Sequence, residues 1–244
     1  QKVLGGSDHE EGSSIQQTSD GGYILTGGTD SSRSGDVGEN HGLWDVWVVK
    51  LNSAGALQWQ EVLGGSDHDY GKSIQQTSDG GYMLTGWTYS NSSGNVGLNH
   101  GGRDVWVVKL NSAGTLQWQK VLGGRDDDYG NSIQQTSDGG YILTGTTNSS
   151  SSGDVGPKHG GRDVWVVKLN SAGTLQWQKV LGGNDTESGR SIQQTSDGGY
   201  ILTGITNSSG SGDVGSNHGW TDVWVVKLNS AGTLQWQKVL GGRD

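Results

Sequence analysis

The chain has 244 residues, a formal net charge of −9, 46 glycines, one proline and no cysteine. This charge argues against nucleic acid as a partner, because phosphate binding needs clustered Lys and Arg. The lack of cysteine excludes disulfide bridges, and no apolar run approaches the roughly 20 residues of a membrane-spanning helix. The sequence starts at Gln1 rather than Met and shows no signal peptide, so we expect a processed chain or an excerpt of a longer one.

The motif VLGG divides the chain into units of one length. It begins at Val3, Val62, Val121, Val180 and Val239, each 59 residues from the next. Copies without insertion or deletion indicate one supersecondary unit used four times. We expect a single domain over 1–244, with repeats at 3–61, 62–120, 121–179 and 180–238, and a further copy starting at 239–244.

Each unit is predicted to contain four strands. The first, SIQQT, is followed by SDGG, in which Asp-Gly supplies the positive φ of a tight hairpin turn. YILTG is the second strand, and a loop rich in Ser and Gly leads to the third, DVWVVKLN, which is β-branched and aromatic. The turn SAG leads to the fourth strand, TLQWQKVLGG. No segment has the period of a helix.

The third strand is apolar on both faces, with Trp47, Val49 and Leu51 on one face and Val46 and Val48 on the other. Such a strand needs a layer above it and a layer below it. Four-stranded antiparallel sheets stacked face to face around an axis provide both layers. The sequence therefore predicts an all-β fold, a β-propeller built of four-stranded blades. A parallel β-helix is the alternative, but its coils are shorter and lack two hairpins per unit.

The segments GGYILTGGT, DVWVVKLN and LQWQ together resemble a kelch-type propeller blade. Glycines close the second strand, an aromatic third strand follows, and a Trp lies on the fourth. The units depart from kelch in lacking an Arg after the first strand and in having a longer second loop. They are more similar to the repeats of roughly 60 residues in large secreted bacterial surface proteins. That resemblance implies an extracellular, non-catalytic role.

The outer-strand motif occurs once more than the repeat, because the chain opens with QKVLGG and closes with QKVLGGRD. In a ring closed by four blades, the two end pieces would compete for one place. We therefore expect either an excerpt of a longer array or a spare strand for a neighbouring chain. Self-association by terminal strand exchange would build rings or filaments.

The copies differ mainly in two segments, the link from the fourth strand to the next unit and the long loop between the second and third strands. In an up-and-down blade both segments lie on one face of the disc, and the invariant turns lie on the other. Loops on a rigid scaffold often carry binding residues, so this variable face is predicted to bind a ligand. Faster drift of exposed loops is the alternative.

Each link carries the pattern D-x-[DE]-x-G. Alternate carboxylates followed by Gly can fold around a hard cation, and calcium accepts such oxygen ligands. The links lack the third acidic position and the closing Glu of a full calcium loop, so turn capping is the alternative. The calcium hypothesis uses Asp8, Glu10, Asp67, Asp69, Asp126, Asp128, Asp185 and Glu187.

Each long loop carries an Asp or Asn, then a His, then an Asp. Planar hydrogen-bonding groups beside aromatic rings suit sugar hydroxyls, and two of the loops add a Trp. The alternative is that the His and Asp hold the loop together by bonding its backbone. The predicted ligand-binding residues are Asp36, His41, Trp44, Asp45, Asn95, His100, Asp104, Asp154, His159, Asp163, Asp213, His218, Trp220 and Asp222.

These patterns predict a secreted or cell-surface bacterial protein that is not an enzyme. Fourfold sameness gives little of the asymmetry that an active site needs, and no nucleophile motif or phosphate-binding loop is present. The leading hypothesis is a multivalent adhesion module for carbohydrate or another cell-surface polymer, with calcium ordering the links. The alternative is a structural spacer or a filament-forming repeat subunit of a surface appendage.

Overall fold

The computed structural model describes residues 2–242, which fold into sixteen strands arranged as four antiparallel sheets of four strands. Each sheet comes from one repeat, and its strands lie side by side in chain order. The prediction of an all-β chain built from repeated four-stranded antiparallel units is confirmed. Among the described residues, no helix is long and apolar enough to cross a membrane.

The sixteen strands follow one pattern of lengths. The first two sheets contain β1 (Glu10–Gln17), β2 (Tyr23–Thr29), β3 (Asp45–Leu51), β4 (Leu57–Leu63), β5 (Asp69–Gln76), β6 (Tyr82–Thr88), β7 (Asp104–Leu110) and β8 (Leu116–Leu122). The last two contain β9 (Asp128–Gln135), β10 (Tyr141–Thr147), β11 (Asp163–Leu169), β12 (Leu175–Leu181), β13 (Glu187–Gln194), β14 (Tyr200–Thr206), β15 (Asp222–Leu228) and β16 (Leu234–Leu240). Each predicted strand segment is therefore a strand.

The first strand of each sheet is longer than the sequence predicts. β1 starts at Glu10 and β5 at Asp69, so the end of each acidic link belongs to a strand. In β1 a bulge between Gly12 and Ser14 takes up one extra residue, which lets pairing with β2 continue into the link. Glu10 is thereby held opposite Thr29.

The chain forms two compact units. The N-terminal unit comprises Gln1–Asn99 and Arg103–Leu122, and the C-terminal unit comprises His100–Gly102 and Gly123–Asp244. Each unit contains two of the sheets. Within each unit, the first strand of the later sheet lies against the face of the earlier sheet: β5 against β1, β2 and β3, and β13 against β9, β10 and β11.

Apolar side chains fill the space between the two sheets of the N-terminal unit. Ile74 of β5 is 2% exposed and packs in one cluster with Ile24, Val46 and Val48 of the earlier sheet. The strand approaches closely at Gly71, where an added Cβ would clash with the earlier sheet. The third strand of the first sheet is thus covered on this face, as its apolar pattern requires.

The C-terminal unit repeats this packing. Ile192 of β13 is 2% exposed and packs with Ile142, Val164 and Val166 of the earlier sheet. Gly189 is the point of closest approach in this unit, since a Cβ there would also clash with the earlier sheet. One mode of sheet stacking therefore serves both units.

A lysine on each third strand is buried and paired with an aspartate of the SDGG turn. Lys50 is 3% exposed, and its Nζ donates to Asp20 Oδ2 at 2.8 Å and to the carbonyl oxygen of Leu51 at 3.0 Å. The hydrogen bond from Lys50 holds the pKa of Asp20 well below its usual range. The same ion pair recurs as Lys109–Asp79, Lys168–Asp138 and Lys227–Asp197. These pairs fasten each first hairpin to its third strand.

Candidate functional site

The two acidic residues of each link lie in different environments. The first is exposed or half-buried, and its backbone N–H donates to a serine of the neighbouring loop, as from Asp8 to Ser31 Oγ at 2.8 Å. The same bond forms at Asp67, Asp126 and Asp185. The second residue is half-buried in the first link, where it is Glu10. It is fully buried in the other three links, where it is Asp69, Asp128 and Glu187.

The second acidic residue binds the backbone of its own link. Gly65 N–H donates to Asp69 Oδ2 at 2.7 Å, and Ser90 Oγ donates to the same oxygen at 2.9 Å. Glu10, Asp128 and Glu187 accept the equivalent glycine N–H. These contacts are those of turn capping. Within residues 2–242 no group of three or more His, Asp and Glu side chains could hold a metal ion, and the calcium hypothesis stays a prediction.

The predicted polar residues of the long loops bind backbone groups. The backbone N–H of His41 donates to Asp45 Oδ2 at 2.5 Å, and the pairs His159–Asp163 and His218–Asp222 do the same. Asp36 Oδ2 accepts the N–H of Gly5 at 3.4 Å, and Asn95, Asp154 and Asp213 accept from the equivalent glycines. The structure thus joins each loop to the preceding link. His100 and Asp104 occupy the corresponding positions of the second repeat.

Two buried carboxylates meet beside one glycine in each unit. Asp45 and Asp69 are both fully buried, and an added Cβ at Gly64 would clash with Asp45 Oδ1 and lie 2.7 Å from Asp69 Oδ2. Asp45 Oδ1 has no hydrogen-bond partner among the described residues. In the C-terminal unit, Asp163 and Glu187 flank Gly182 in the same way.

Burial raises the pKa of Asp45 to about 6, against the lowering effect of the His41 N–H, and the charge of Asp69 raises it further. Burial also raises the pKa of Asp69 and of Asp163. Two neighbouring buried carboxyl groups are coupled in their titration, because the charge of one disfavours ionisation of the other. Asp45 can therefore hold a proton at mildly acidic pH.

Aromatic rings form a continuous stack in the N-terminal unit. Trp44 stacks on Tyr70 with ring centroids 5.5 Å apart, and Tyr70 stacks on Trp87 at 5.2 Å. Tyr89 meets Trp87 edge-on, and the Arg103 guanidinium lies 5.0 Å from the Trp87 centroid and 4.6 Å from that of Tyr89. Such stacks combine buried area with cation–π attraction.

The stack has a polar end at Tyr70. The Tyr70 hydroxyl donates to the carboxylate of Glu11, and Lys72 Nζ lies 4.3 Å from the Tyr70 ring centroid. Gly28 makes room for the stack, because a Cβ there would clash with Trp44 Nε1. One face of the Trp44 ring is therefore covered by Tyr70, whereas Trp220 of the C-terminal unit is 85% exposed.

The first sheet has an uncovered apolar face. Ile15 of β1 is 65% exposed, although its equivalents Ile74, Ile133 and Ile192 are at most 2% exposed. A Cβ at Gly12 would meet no atom of the described residues within 4 Å, in contrast to Gly71. The surface that seats β5 and β13 on an earlier sheet is therefore open in β1.

The last sheet has the complementary uncovered face. Val223 of β15 is 46% exposed, whereas its equivalents Val46, Val105 and Val164 are fully buried. A cavity of about 290 Å³ lies on this face and is lined by Ser191, Gln193, Ile201, Leu202, Thr203 and Val225. In the N-terminal unit the equivalents of Ile201, Val223 and Val225 belong to the same buried cluster as Ile74. The cavity is thus a seat for a first strand like β1.

Sequence reasoning missed Tyr70, Lys72 and the apolar end faces. Tyr70 lies in a variable link, whose difference from the other copies was the available signal. The end faces gave no signal, because Ile15 and Ile74 occur in the same local sequence, SIQQTSDGGY.

No family model matches the chain. It is 24% identical over 243 residues to the regulatory protein FlaEY of Caulobacter vibrioides, in an alignment that covers 87% of this chain and 24% of that protein. The chain thus spans about a quarter of the length of this curated relative.

One solved structure that resembles the chain is a protein of unknown function from Bacteroides caccae. Its TM-score is 0.52 at 14% sequence identity, and the match covers 95% of this chain and 68% of that one. At this level of identity the likeness concerns the fold alone. The repeated β architecture is therefore shared with a larger bacterial protein.

Proposed function

We propose that the chain is a non-catalytic structural repeat module that extends by stacking like sheets, head to tail, in a bacterial surface or secreted assembly. The observation that carries the proposal is the pair of open faces, Ile15 on the first sheet and the seat around Val223 on the last. Each is the counterpart of a surface that is buried between sheets inside a unit. A second copy of this chain carries the matching surface for each of them.

In this proposal the sheets are kelch-like propeller blades, and more than four blades are needed to cover both faces of every sheet. Four-stranded antiparallel sheets that stack face to face support it, as does the third strand's need for a layer on each side. Stacking through faces differs from strand exchange, because no strand leaves its own sheet.

Self-association tests the proposal. Light scattering at increasing protein concentration is expected to show species larger than the monomer, and Ile15→Glu or Val223→Glu is expected to return the chain to monomer. Both side chains are exposed, so a carboxylate there leaves the fold intact. Leu98→Glu is the matched control, because Leu98 is also 65% exposed but lies in a long loop. A wild-type chain that remains monomeric at high concentration and moderate salt contradicts the proposal.

A second candidate function is multivalent binding of carbohydrate or another cell-surface polymer by the links and long loops, with calcium ordering the links. The observation that favours it is the open ring of Trp220, 85% exposed beside polar loop residues. Exposed aromatic rings stack on the apolar faces of sugars. Neutral and acidic glycan arrays, with calcium and with chelator, are expected to show binding that Trp220→Ala weakens. Absence of binding under both conditions would exclude this role.

A further inference from the structure

An open cavity lies between the two sheets of the C-terminal unit, apart from the residues predicted to bind a ligand. Its volume is about 330 Å³, and its lining includes Tyr129, Asn131, Arg162, Ser188, Arg190 and Ile205. A cavity of this size accommodates a single sugar unit.

The equivalent place in the N-terminal unit is filled by side chains. Two repeats earlier in the chain, Trp44 stands for Arg162, Tyr70 for Ser188 and Trp87 for Ile205. These three residues are the rings of the aromatic stack. Smaller or flexible side chains at the same positions therefore open the cavity in the C-terminal unit.

The two units also differ at the residue that packs against Trp44. Gly28, which makes room for Trp44, corresponds to Thr146, whose side chain is 5% exposed at the cavity wall. Thr146 is incompatible with a Trp at position 162 in the N-terminal geometry, because a Cβ at Gly28 would clash with the indole. The two sites thus differ in a matched pair of residues. Gly28 with Trp44 fills the site in the N-terminal unit, and Thr146 with Arg162 leaves it open in the C-terminal unit.

Two guanidinium groups border the cavity. Arg162 and Arg190 are both exposed, and within residues 2–242 neither has a carboxylate within ion-pair distance. Guanidinium groups bind carboxylate and sulfate through paired N–H donors. In a chain with a net charge of −9, two unpaired cations at one cavity mark a place for an anion.

The remaining walls supply neutral polar and apolar groups. The hydroxyls of Thr146 and Ser188 lie 2.7 Å apart and share one hydrogen bond, which leaves each with further hydrogen-bonding capacity. Asn131 Nδ2 donates to the carbonyl oxygen of Gly189 at 2.7 Å, which fixes its side chain. Ile205 and the ring of Tyr129 offer apolar surface.

We propose that this cavity binds one acidic sugar unit of a polysaccharide, with Arg162 and Arg190 on its carboxylate or sulfate and Ser188 and Asn131 near its hydroxyls. Tyr129 and Ile205 contact the C–H face of the sugar ring. This assignment rests on the second candidate function, sugar binding, and names the class of sugar and the place where it binds.

Calorimetric titration of the full chain tests the assignment. The probes are trigalacturonate, a sulfated chondroitin disaccharide, neutral galactotriose and inorganic sulfate. Both acidic sugars, or one of them, are expected to bind, and Arg162→Gln or Arg190→Gln is expected to weaken binding at least about tenfold. Lys72→Gln, the counterpart of Arg190 in the N-terminal unit, is expected to leave the affinity unchanged.

A double variant closes the cavity without removing a fold element. Thr146→Gly with Arg162→Trp copies the Gly28 and Trp44 pair and is expected to abolish binding, with the melting temperature reporting that the chain is folded. Unchanged affinity in the arginine variants or in the filled variant overturns the assignment. Sulfate that binds as tightly as the acidic sugars overturns the sugar class.

The controls separate this inference from the function on which it rests. If neutral glycans bind through Trp220 and acidic ones do not bind, the cavity assignment alone is wrong. If no glycan of either kind binds, sugar binding as a whole is wrong and the cavity assignment falls with it. Head-to-tail stacking is tested separately, because it uses Ile15 and Val223.

Discussion

The buried carboxylate of Asp45 makes stability depend on pH. Its pKa in the folded chain is about 6, above the ~3.9 of an unfolded Asp. The folded state therefore binds the proton more tightly. The stability from this group is fully present below pH ~4 and is lost as the pH rises through about 6.

Asp45→Asn is expected to raise the melting temperature most at pH 8 and less at pH 5, where the folded Asp45 is still largely protonated. The amide keeps an acceptor for the His41 N–H and carries no charge, so the repulsion from Asp69 disappears. An increase of a few degrees is expected, since about 1 kcal/mol corresponds to ~2–4 °C in a chain of this size.

Asp36→Asn is the matched control for this change, because the second repeat carries Asn95 at the same position with the same glycine contact. Thermal unfolding followed by circular dichroism at both pH values provides the measurement. A lower melting temperature of Asp45→Asn at pH 8 would show that the negative charge stabilises the fold, which is the opposite of the expected repulsion between Asp45 and Asp69.

The sequence indicates the residue types of the candidate site and gives bonding to the backbone as one of two roles for them. The spacing from His41 to Asp45 does bring the two residues together, through the backbone N–H rather than the imidazole. The burial of Asp69 could not be predicted, because it depends on the bulge that draws the link into β5. A local sequence pattern predicts which residues are close along the chain. The burial of a residue depends on the sheet that packs against it, which the local pattern does not contain.

The space between the two sheets of a unit holds an aromatic stack in the N-terminal unit and an open cavity in the C-terminal unit. Gly28→Thr is expected to lower the melting temperature, because the new side chain overlaps Trp44 in a filled space. Overpacking of this kind costs about 1–3 kcal/mol. The near-ultraviolet circular dichroism of the stacked rings is expected to fall as well.

Two variants check this explanation. Gly28→Thr with Trp44→Arg copies the residues of the C-terminal unit and is expected to recover most of the loss, as coupled neighbours do. Thr146→Gly alone is expected to lower the melting temperature through the lost hydrogen bond to Ser188 and the glycine in a strand, but without an overlap of side chains. A single Gly28→Thr variant as stable as wild type would mean that the stack is not tightly packed.

The strands themselves could largely be predicted, because period, turn residues and β-branched runs are local features. The strand DVWVVKL is buried from end to end in β7 and β11, as its two apolar faces indicate. The buried Lys109 on that strand was missed, since its partner Asp79 lies in another turn that the hairpin brings close. Pairing across a sheet requires the register as well as the pattern.

For the whole molecule, the repeated sequence does not show which sheet faces are exposed. Ile15 and Ile74 have the same neighbours in sequence, yet one is 65% exposed and the other 2%. The difference depends on whether a sheet lies over the residue, and identical repeats cannot encode that. The proposal of head-to-tail stacking therefore rests on the structure and not on the repeat pattern.

Disulfide trapping between two single-cysteine chains tests that proposal most directly, because the natural chain has no cysteine. Inside a unit, Gly71 closely approaches Thr26, whose equivalent on the open last sheet is Thr203, while Gly12 is the equivalent of Gly71 on the open first sheet. Chains carrying Gly12→Cys and chains carrying Thr203→Cys, distinguished by tag length, would be mixed under mild oxidation. We predict a covalent heterodimer, absent when Thr144→Cys replaces Thr203→Cys. Reactive thiols at both positions without that heterodimer would contradict head-to-tail stacking.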